Sequence, residues 1–532
     1  MSYLRSFSGR ATSQGEPLPG RTDSVKNNAG GFGFAVDKWQ RLRRFLILGS
    51  EGGTYYVREP KLTRENAENV IACIREDGRR TVDEIVRVSD EGLAYKNDPA
   101  LFALALANSR AYASEETRRA ALAALPKVAR IGTHLFHFLQ FADDHKGASG
   151  RQFRRAVGRW YLERKPDALA MQLVKYRQRD GWTHRDVLRL THPKATGATA
   201  ALLRWAVGKP QEADAELPRL VEGFEKLQKA ENVREAAQLI TAYGLPREAV
   251  PTELLAKPEV WAALLPHMGL TACVRNLGNM TRIGLLAPLS EAVVTVCQKL
   301  TDEEVIRKER VHPLQFLAAI CTYGAGHGAR STNSWTPVAQ VRSALEAGFY
   351  KSFKSVQPTG KRTLLAIDVS GSMRSGEVGG VPGLSPAMAS AAMAMVIART
   401  EPRYHVMGFA HDFRDLGVTA EDSLSEAMRK TNNMNFGATD CALPWVWARV
   451  NSVEVDTCVT LTDSETWSGS VHPTQALAMY RQIMGVPARS VVAGMVSNGF
   501  TVADPRDAGQ MDVVGFDAGA PQVIADFSAG RM

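Results

Sequence analysis

The chain is poor in cysteine and holds none of it in paired motifs. Its six cysteines, at positions 73, 273, 297, 321, 441 and 458, are spread over 532 residues without a CxxC. That spacing excludes a disulfide framework and a cysteine-based zinc site. Long apolar runs are also missing. The longest, AMASAAMAMVIA from Ala387 to Ala398, falls short of the roughly 18 residues a membrane-spanning helix needs. The first twenty residues lack the apolar centre of a secretory signal and are rich in Ser, Gly and Pro. Residues 1–26 are therefore expected to form a mobile tail, with no membrane association and a cytoplasmic location. The glycine clusters GGFGF (30–34) and GSEGG (49–53) contain no GK[ST], so they are expected to permit tight turns rather than to cradle a nucleotide.

What is present is ordinary for a globular protein: 45% hydrophobic and 23% charged residues. A length of 532 residues exceeds what one core fills, so two or more domains are expected. The net charge of +9 conceals an asymmetry: residues 360–532 hold 13 Lys and Arg against 18 Asp and Glu, whereas residues 1–359 hold 52 against 38. A basic region is thus joined to a mildly acidic one, and the basic part suits a polyanionic partner.

Periodicity divides the chain at the same place. From about Thr63 to Phe353 one helical pattern follows another, with caps expected at Thr63, at Ser290, at Thr301 with Glu304, and at Thr336 ahead of Pro337. Antiparallel helix pairs stacked as a solenoid account for this stretch, and its repeats are irregular, since no fixed period recurs. After SFKSVQPTGKR the pattern alternates: TLLAID, YHVMGFA, TCVTLTD, SVVAGMV and DVVGF read as strands, separated by helical segments. Apolar strands without polar alternation predict a doubly wound parallel sheet covered on both faces. The fold class is mainly α with an α/β domain.

In such sheets ligands bind at the carboxyl ends of the strands. There the first strand runs into Asp368-x-Ser370-x-Ser372, and Thr439 and Asp463 are expected at the same edge. Two carboxylates and three hydroxyls are hard oxygen donors suited to a divalent ion, most naturally Mg²⁺. Neutral hydroxyls leave the ion's charge partly uncompensated, so an open coordination position would attract an acidic group from a partner. Asp440 and Glu465, next to this set, are expected to be solvated or to support the ligands.

The richest segment is residues 150–194, with 12 Lys and Arg against four acidic residues, interleaved with Phe153, Trp160, Tyr161, Tyr176 and Trp182. Arg for phosphates and aromatics for unstacked bases are the ingredients of RNA recognition. The same composition also describes a solvated helix face over a core of aromatics.

The ordered set Asp368, Ser370, Ser372, Thr439, Asp463 resembles the metal-ion-dependent adhesion site of von Willebrand factor A domains. KYRQRDGWTHRDVLRLTHPK (175–194), NNAGGFGFAVDKWQRLRRFLILGSEGGTYYV (27–57) and RNLGNMTRIGLL (275–286) resemble the TROVE module of the Ro autoantigen family. FGATDCALP and LTDSETW resemble the A domain that follows it there, and the scarcity of long inserts is similar to bacterial members. The resemblance implies a HEAT-like helical-repeat ring over residues 27–356, closed by a Rossmann-like A domain over 361–532. It further implies RNA contacts at Lys175, Arg179 and His192; by spacing alone, Arg185 and Arg189 form a further i, i+4 pair nearby and are added as candidates. Lys175 and Arg179, four apart, would share one helix face. The implied ligands are a small noncoding Y RNA on the exterior and single-stranded 3′ ends of misfolded RNA in the hole. The implied partner is a 3′-to-5′ exoribonuclease, polynucleotide phosphorylase, reached through the Y RNA by a monomeric ring.

Three functional classes follow. The first is a non-enzymatic RNA-binding protein of RNA quality control, processing and decay. The second is a metal-dependent adhesion scaffold for an acidic protein partner. The third, a phosphohydrolase using Asp368, lacks a second metal cluster, and neither His411 nor His472 has a carboxylate partner by spacing. No enzymatic activity is expected.

Overall fold

The computed structural model describes residues 11–27, 30–35, 37–48, 68–91, 94, 97–147, 150–211, 216–309, 311–328, 333–369, 373, 381–432, 439–462, 466–494, 500–514 and 520–530. Between Lys38 and Ser352 the described residues are mainly helical, and local chemistry starts and stops many of these helices. Asp77, Ser114, Asn232 and Ser290 each accept a backbone N–H of the first helical turn, which satisfies a donor with no partner inside the helix. Gly244 and Gly326 end helices in the left-handed conformation, at φ 62° and 75°, that costs glycine little.

Two expected caps are displaced. Asp302, not Thr301, caps helix Glu303–Lys308. Thr301 still belongs to the preceding helix, and its hydroxyl donates to the Cys297 carbonyl at 2.8 Å. Helix Ala339–Ser352 starts after Val338, whose N–H is held by the Tyr323 hydroxyl at 3.1 Å. Thr336 and Pro337 therefore precede it. Thr63 lies outside the described residues.

Alternate helices stack in a row. Gly78–Asp90 packs on Glu115–Val128, that on Arg151–Leu162, and that on His184–Thr191, the arrangement of a helical-pair solenoid. Helix Asp98–Asn108 is buried from Pro99 to Asn108, because it carries apolar residues all round and lies inside the stack.

Eleven strands occur among the described residues: β1 (Ser24–Lys26), β2 (Phe32–Ala35), β3 (Gln178–Arg179), β4 (Trp182–Thr183), β5 (Thr363–Asp368), β6 (Tyr404–Phe409), β7 (Phe413–Asp415), β8 (Thr457–Thr462), β9 (Arg489–Gly494), β10 (Phe500–Thr501) and β11 (Gln510–Val514). The large sheet has the order β11-β9-β8-β5-β6-β7. Its first five strands are parallel and β7 runs antiparallel to β6, which corrects the all-parallel expectation. Only three residues separate β6 from β7, and the Ala410 N–H bonds the Asp412 carbonyl. So short a link makes a hairpin, since parallel pairing needs a long crossover. Along β5, Leu365 and Ile367 join the core cluster that runs on through the helical region, while Leu364 and Ala366 face a second cluster. Period-two alternation thus ties one face of the sheet into the helical core.

Both ends of the helical region meet this sheet domain. Helix Lys38–Leu48 touches β11, and helix Pro313–Ala325 touches helix Pro386–Thr400. The solenoid is closed into a ring by the A domain. Residues 11–26, expected as a mobile tail, instead form a strap on that domain: β2 pairs with β1 on one side and β10 on the other. Arg21 holds Asp504 with two bonds, at 2.7 and 2.8 Å. His472 Nε2 donates to the Phe32 carbonyl at 3.1 Å. Composition misled here because Ser, Gly and Pro in this strap serve turns rather than disorder. In GGFGF, a Cβ on Gly31 would lie 1.9 Å from the Thr466 carbonyl oxygen, so glycine lets the strap approach the A domain. GSEGG lies outside the described residues.

Candidate nucleic-acid interface and metal edge

Lys175 is the last residue of helix Pro166–Lys175, and the chain leaves the helix at Tyr176. Arg179 therefore stands on β3, not on Lys175's helix face as expected. The turn between β3 and β4 is Asp180–Gly181, with φ 52° and 80°. Two consecutive positive φ values define the tight hairpin turn whose twist matches its strands, and Asp-Gly is a preferred sequence for it. The dipeptide was the available signal for this hairpin.

The chain then enters helix His184–Thr191 through a reciprocal cap: Thr183 accepts the Asp186 N–H while the Asp186 carboxylate accepts the Thr183 N–H. Arg185 and Arg189, one turn apart, are both exposed, so they share an outward face. His192 follows at φ 45°, exposed, as the left-handed C-cap. This strained backbone fixes where its imidazole leaves the surface. Arg179 is 59% exposed and Lys175 half-buried, its ammonium 5.5 Å from the Tyr176 ring centre.

The aromatics serve mainly as foundation. Phe153, Trp160 and Tyr161 are fully buried, and Trp182 packs against the core. Trp160 and Tyr161, with Phe136, pack round His184, whose ring lies 4.8 Å from Phe136, 6.2 Å from Trp160 and 5.6 Å from Tyr161. Burial lowers the His184 pKa to about 4, so the imidazole is neutral at pH 7. It ties the start of its helix to helices Gly132–Asp144 and Arg151–Leu162.

At the sheet edge, Asp368 ends β5 and is 1% exposed. Its Oδ2 accepts a 2.8 Å bond from the hydroxyl of Thr462, the last residue of the neighbouring β8. Thr439 is buried, and its carbonyl accepts the Trp467 N–H at 3.0 Å. Two residues on, the Cys441 thiol is pushed up by burial first and then by the nearby Asp368 charge. Asp368 at the end of β5 and Thr462 at the end of β8 therefore meet at the carboxyl edge of the sheet, with Cys441 close by. Ser370, Ser372, Asp463 and Glu465 lie outside the described residues. The described donors, a buried carboxylate oriented by a hydroxyl and a buried threonine, suit a hard divalent ion.

Asp440, expected to be solvated or to support the ligands, is not a solvated group. Burial raises its pKa, and its Oδ1 accepts bonds from Gln14 Nε2 at 2.6 Å and the Ala442 N–H at 2.9 Å. His472 is buried under the strap beside Phe34, while His411 is exposed.

A ring of stacked helices closed by an A-type domain, with an exposed basic hairpin and helix on the ring, defines the class of ring-shaped helical-repeat proteins carrying a von Willebrand factor A domain. The TROVE domain model matches residues 25–238 and 244–323, and the Ro60 vWA domain model matches residues 362–528. The RNA-binding protein RO60 of Deinococcus radiodurans is 45% identical over 511 residues, covering 96% of each chain. That of Caenorhabditis elegans is 33% identical over 586 residues, covering 96% of this chain and 90% of its own. The crystal structure of the Deinococcus radiodurans RO (RSR) protein superposes with a TM-score of 0.78 at 44% identity, covering 93% of this chain and all of that one. The chain belongs to the Ro60 family.

Proposed function

We propose that this protein binds RNA without catalysing its chemistry, taking a small structured noncoding RNA of the Y type on its basic outer surface. Lys175, Arg179, Arg185, Arg189 and His192 are gathered within 18 residues on a helix end, a hairpin and the following helix. The outward exposure of Arg179, Arg185, Arg189 and His192, beside a half-buried Lys175 and over an aromatic foundation, is the observation that carries the reading. Phosphate contacts supply most of the affinity of such a surface, and both relatives named above are RNA-binding proteins by name. Single-stranded 3′ ends of misfolded RNA would enter the ring's hole, for quality control and decay in the cytoplasm. A bound Y RNA would recruit polynucleotide phosphorylase to the monomeric ring. Titration of a labelled structured RNA at several salt concentrations tests the reading: affinity should fall steeply with salt and depend on Lys175 and Arg179. Salt-independent binding, or equal binding by the double alanine variant, would refute it.

The sheet edge supports an additional role. Asp368 and Thr439, with Ser370, Ser372 and Asp463, would hold Mg²⁺, whose Lewis acidity would draw a carboxylate or phosphate from a partner. Trp467, 46% exposed and bonded to the Thr439 carbonyl, gives that edge an apolar contact. A protein partner lost on chelation, with RNA binding intact, would establish this scaffold role. Full retention of the partner in chelator would remove it.

A further inference from the structure

The hairpin tip presents an unexplained carboxylate. Asp180 occupies a left-handed turn position that Asn fills equally well, so the turn does not require its charge. It also stands beside Arg179, on a surface read above as a phosphate binder, where a negative charge should be unfavourable. Its surroundings explain it. Asp180 Oδ2 lies 2.5 Å from His137 Nδ1, on helix Gly132–Asp144. The other imidazole nitrogen of His137 faces Asp98 Oδ1 at 3.7 Å, and its ring stacks on Phe141 with centres 6.2 Å apart. Arg179 Nε stands 3.6 Å from Asp180 Oδ1, too far for a hydrogen bond.

One carboxylate is thus placed between an imidazole and a guanidinium, and the short contact goes to His137. Were His137 absent, Asp180 would be free to draw the guanidinium of Arg179 into a close ion pair. That pair would compete directly with a phosphate for the same N–H groups.

We propose that His137 is a positioning residue for RNA binding: by holding the Asp180 carboxylate it keeps that charge off Arg179, and thereby leaves Arg179 open to a phosphate. The proposal rests on the RNA-binding reading of Arg179. His137 itself need not touch RNA.

The test measures the affinity of the full-length protein for a labelled synthetic RNA stem–loop with a single-stranded 3′ tail, at fixed salt, with thermal melts as a folding control. His137→Ala should weaken binding about fivefold, the scale of one partly exposed ion pair. His137→Gln, which keeps a donor for Asp180, should stay near wild type. Asp180→Asn alone should bind as well as wild type or better. The double variant His137→Ala with Asp180→Asn should return to within about twofold of wild type. A purely structural role for His137 predicts no such rescue, so a double variant as weak as His137→Ala overturns the proposal. A loss in Asp180→Asn overturns it as well, and this variant stays informative should His137→Ala fail to fold. Unchanged binding by an Arg179→Ala control would instead remove the RNA reading beneath the proposal.

Discussion

Gln14 and Asp440 lie 426 positions apart in the chain, and the side-chain amide of the first donates a 2.6 Å hydrogen bond to the carboxylate of the second. The same Nε2 donates to the Val471 carbonyl at 2.9 Å, and the Thr466 hydroxyl donates to Gln14 Oε1. Gln14 is fully buried, so one side chain satisfies three polar groups of the A domain where the N-terminal strap lies on it.

Replacing it should loosen the strap. Gln14→Ala leaves a buried carboxylate, hydroxyl and carbonyl short of a partner each, at a cost on the order of 2–4 kcal/mol. Chemical denaturation should report the loss, and limited proteolysis should cut first within residues 11–35. Gly31→Ala should behave alike, since its methyl would collide with the Thr466 backbone. Wild-type stability and protection in both variants would show that the strap adds nothing to the stability of the A domain.

The basic surface gives a second expectation. Lys175→Ala with Arg179→Ala should weaken structured-RNA binding about tenfold or more and flatten the log–log salt dependence by about one unit for each phosphate no longer neutralised. Melting should be unchanged, because neither side chain is in the core. Arg185→Ala with Arg189→Ala should act in the same direction. Equal affinity at moderate salt would contradict the assignment.

At the sheet edge, Asp368→Ala should abolish Mg²⁺ binding in calorimetry while RNA affinity is kept. Thr462→Val should weaken the ion's binding about tenfold or more, because it removes the hydroxyl that orients Asp368. Heats of Mg²⁺ binding that match wild type in Asp368→Ala would contradict the metal site.

Acid should destabilise the fold in a defined window. Burial, the leading cause for each, lowers the pKa values of His134, His184, His312 and His472 to about 4 from 6.5. The unfolded chain takes up these protons below pH 6.5, whereas the folded chain resists them until about pH 4. Stability is therefore complete above pH 6.5 and is lost as pH falls toward 4, by on the order of 1–2 kcal/mol per histidine at pH 5. Denaturant midpoints at pH 7 and pH 5 measure this. His184→Gln should shrink the difference, and an unchanged midpoint would contradict the neutral buried state.

Much of the A domain was legible because its strands are covered on both faces and so read as continuous apolar runs. Its helices announced themselves through Ser385–Pro386 and His472–Pro473 at their starts. The hairpin at Asp180–Gly181 was overlooked because helical periodicity on either side masked a two-residue signal. The strap was hidden for a different reason: the groups that hold Gln14, Arg21 and Phe32 lie more than 400 positions away, and local composition carries no trace of them. Of the candidate site, the order of the residues was visible in the sequence. Which of them share an element was not, as the separation of Lys175 from Arg179 shows.

The most direct measurement is to purify the tagged protein from its native cells and sequence the RNA that accompanies it, with the Lys175, Arg179 and His192 triple alanine variant as control. The account predicts a discrete small RNA with wild type that is lost from the variant. No enriched RNA with wild type, or the same RNA at the same yield with the variant, would contradict it.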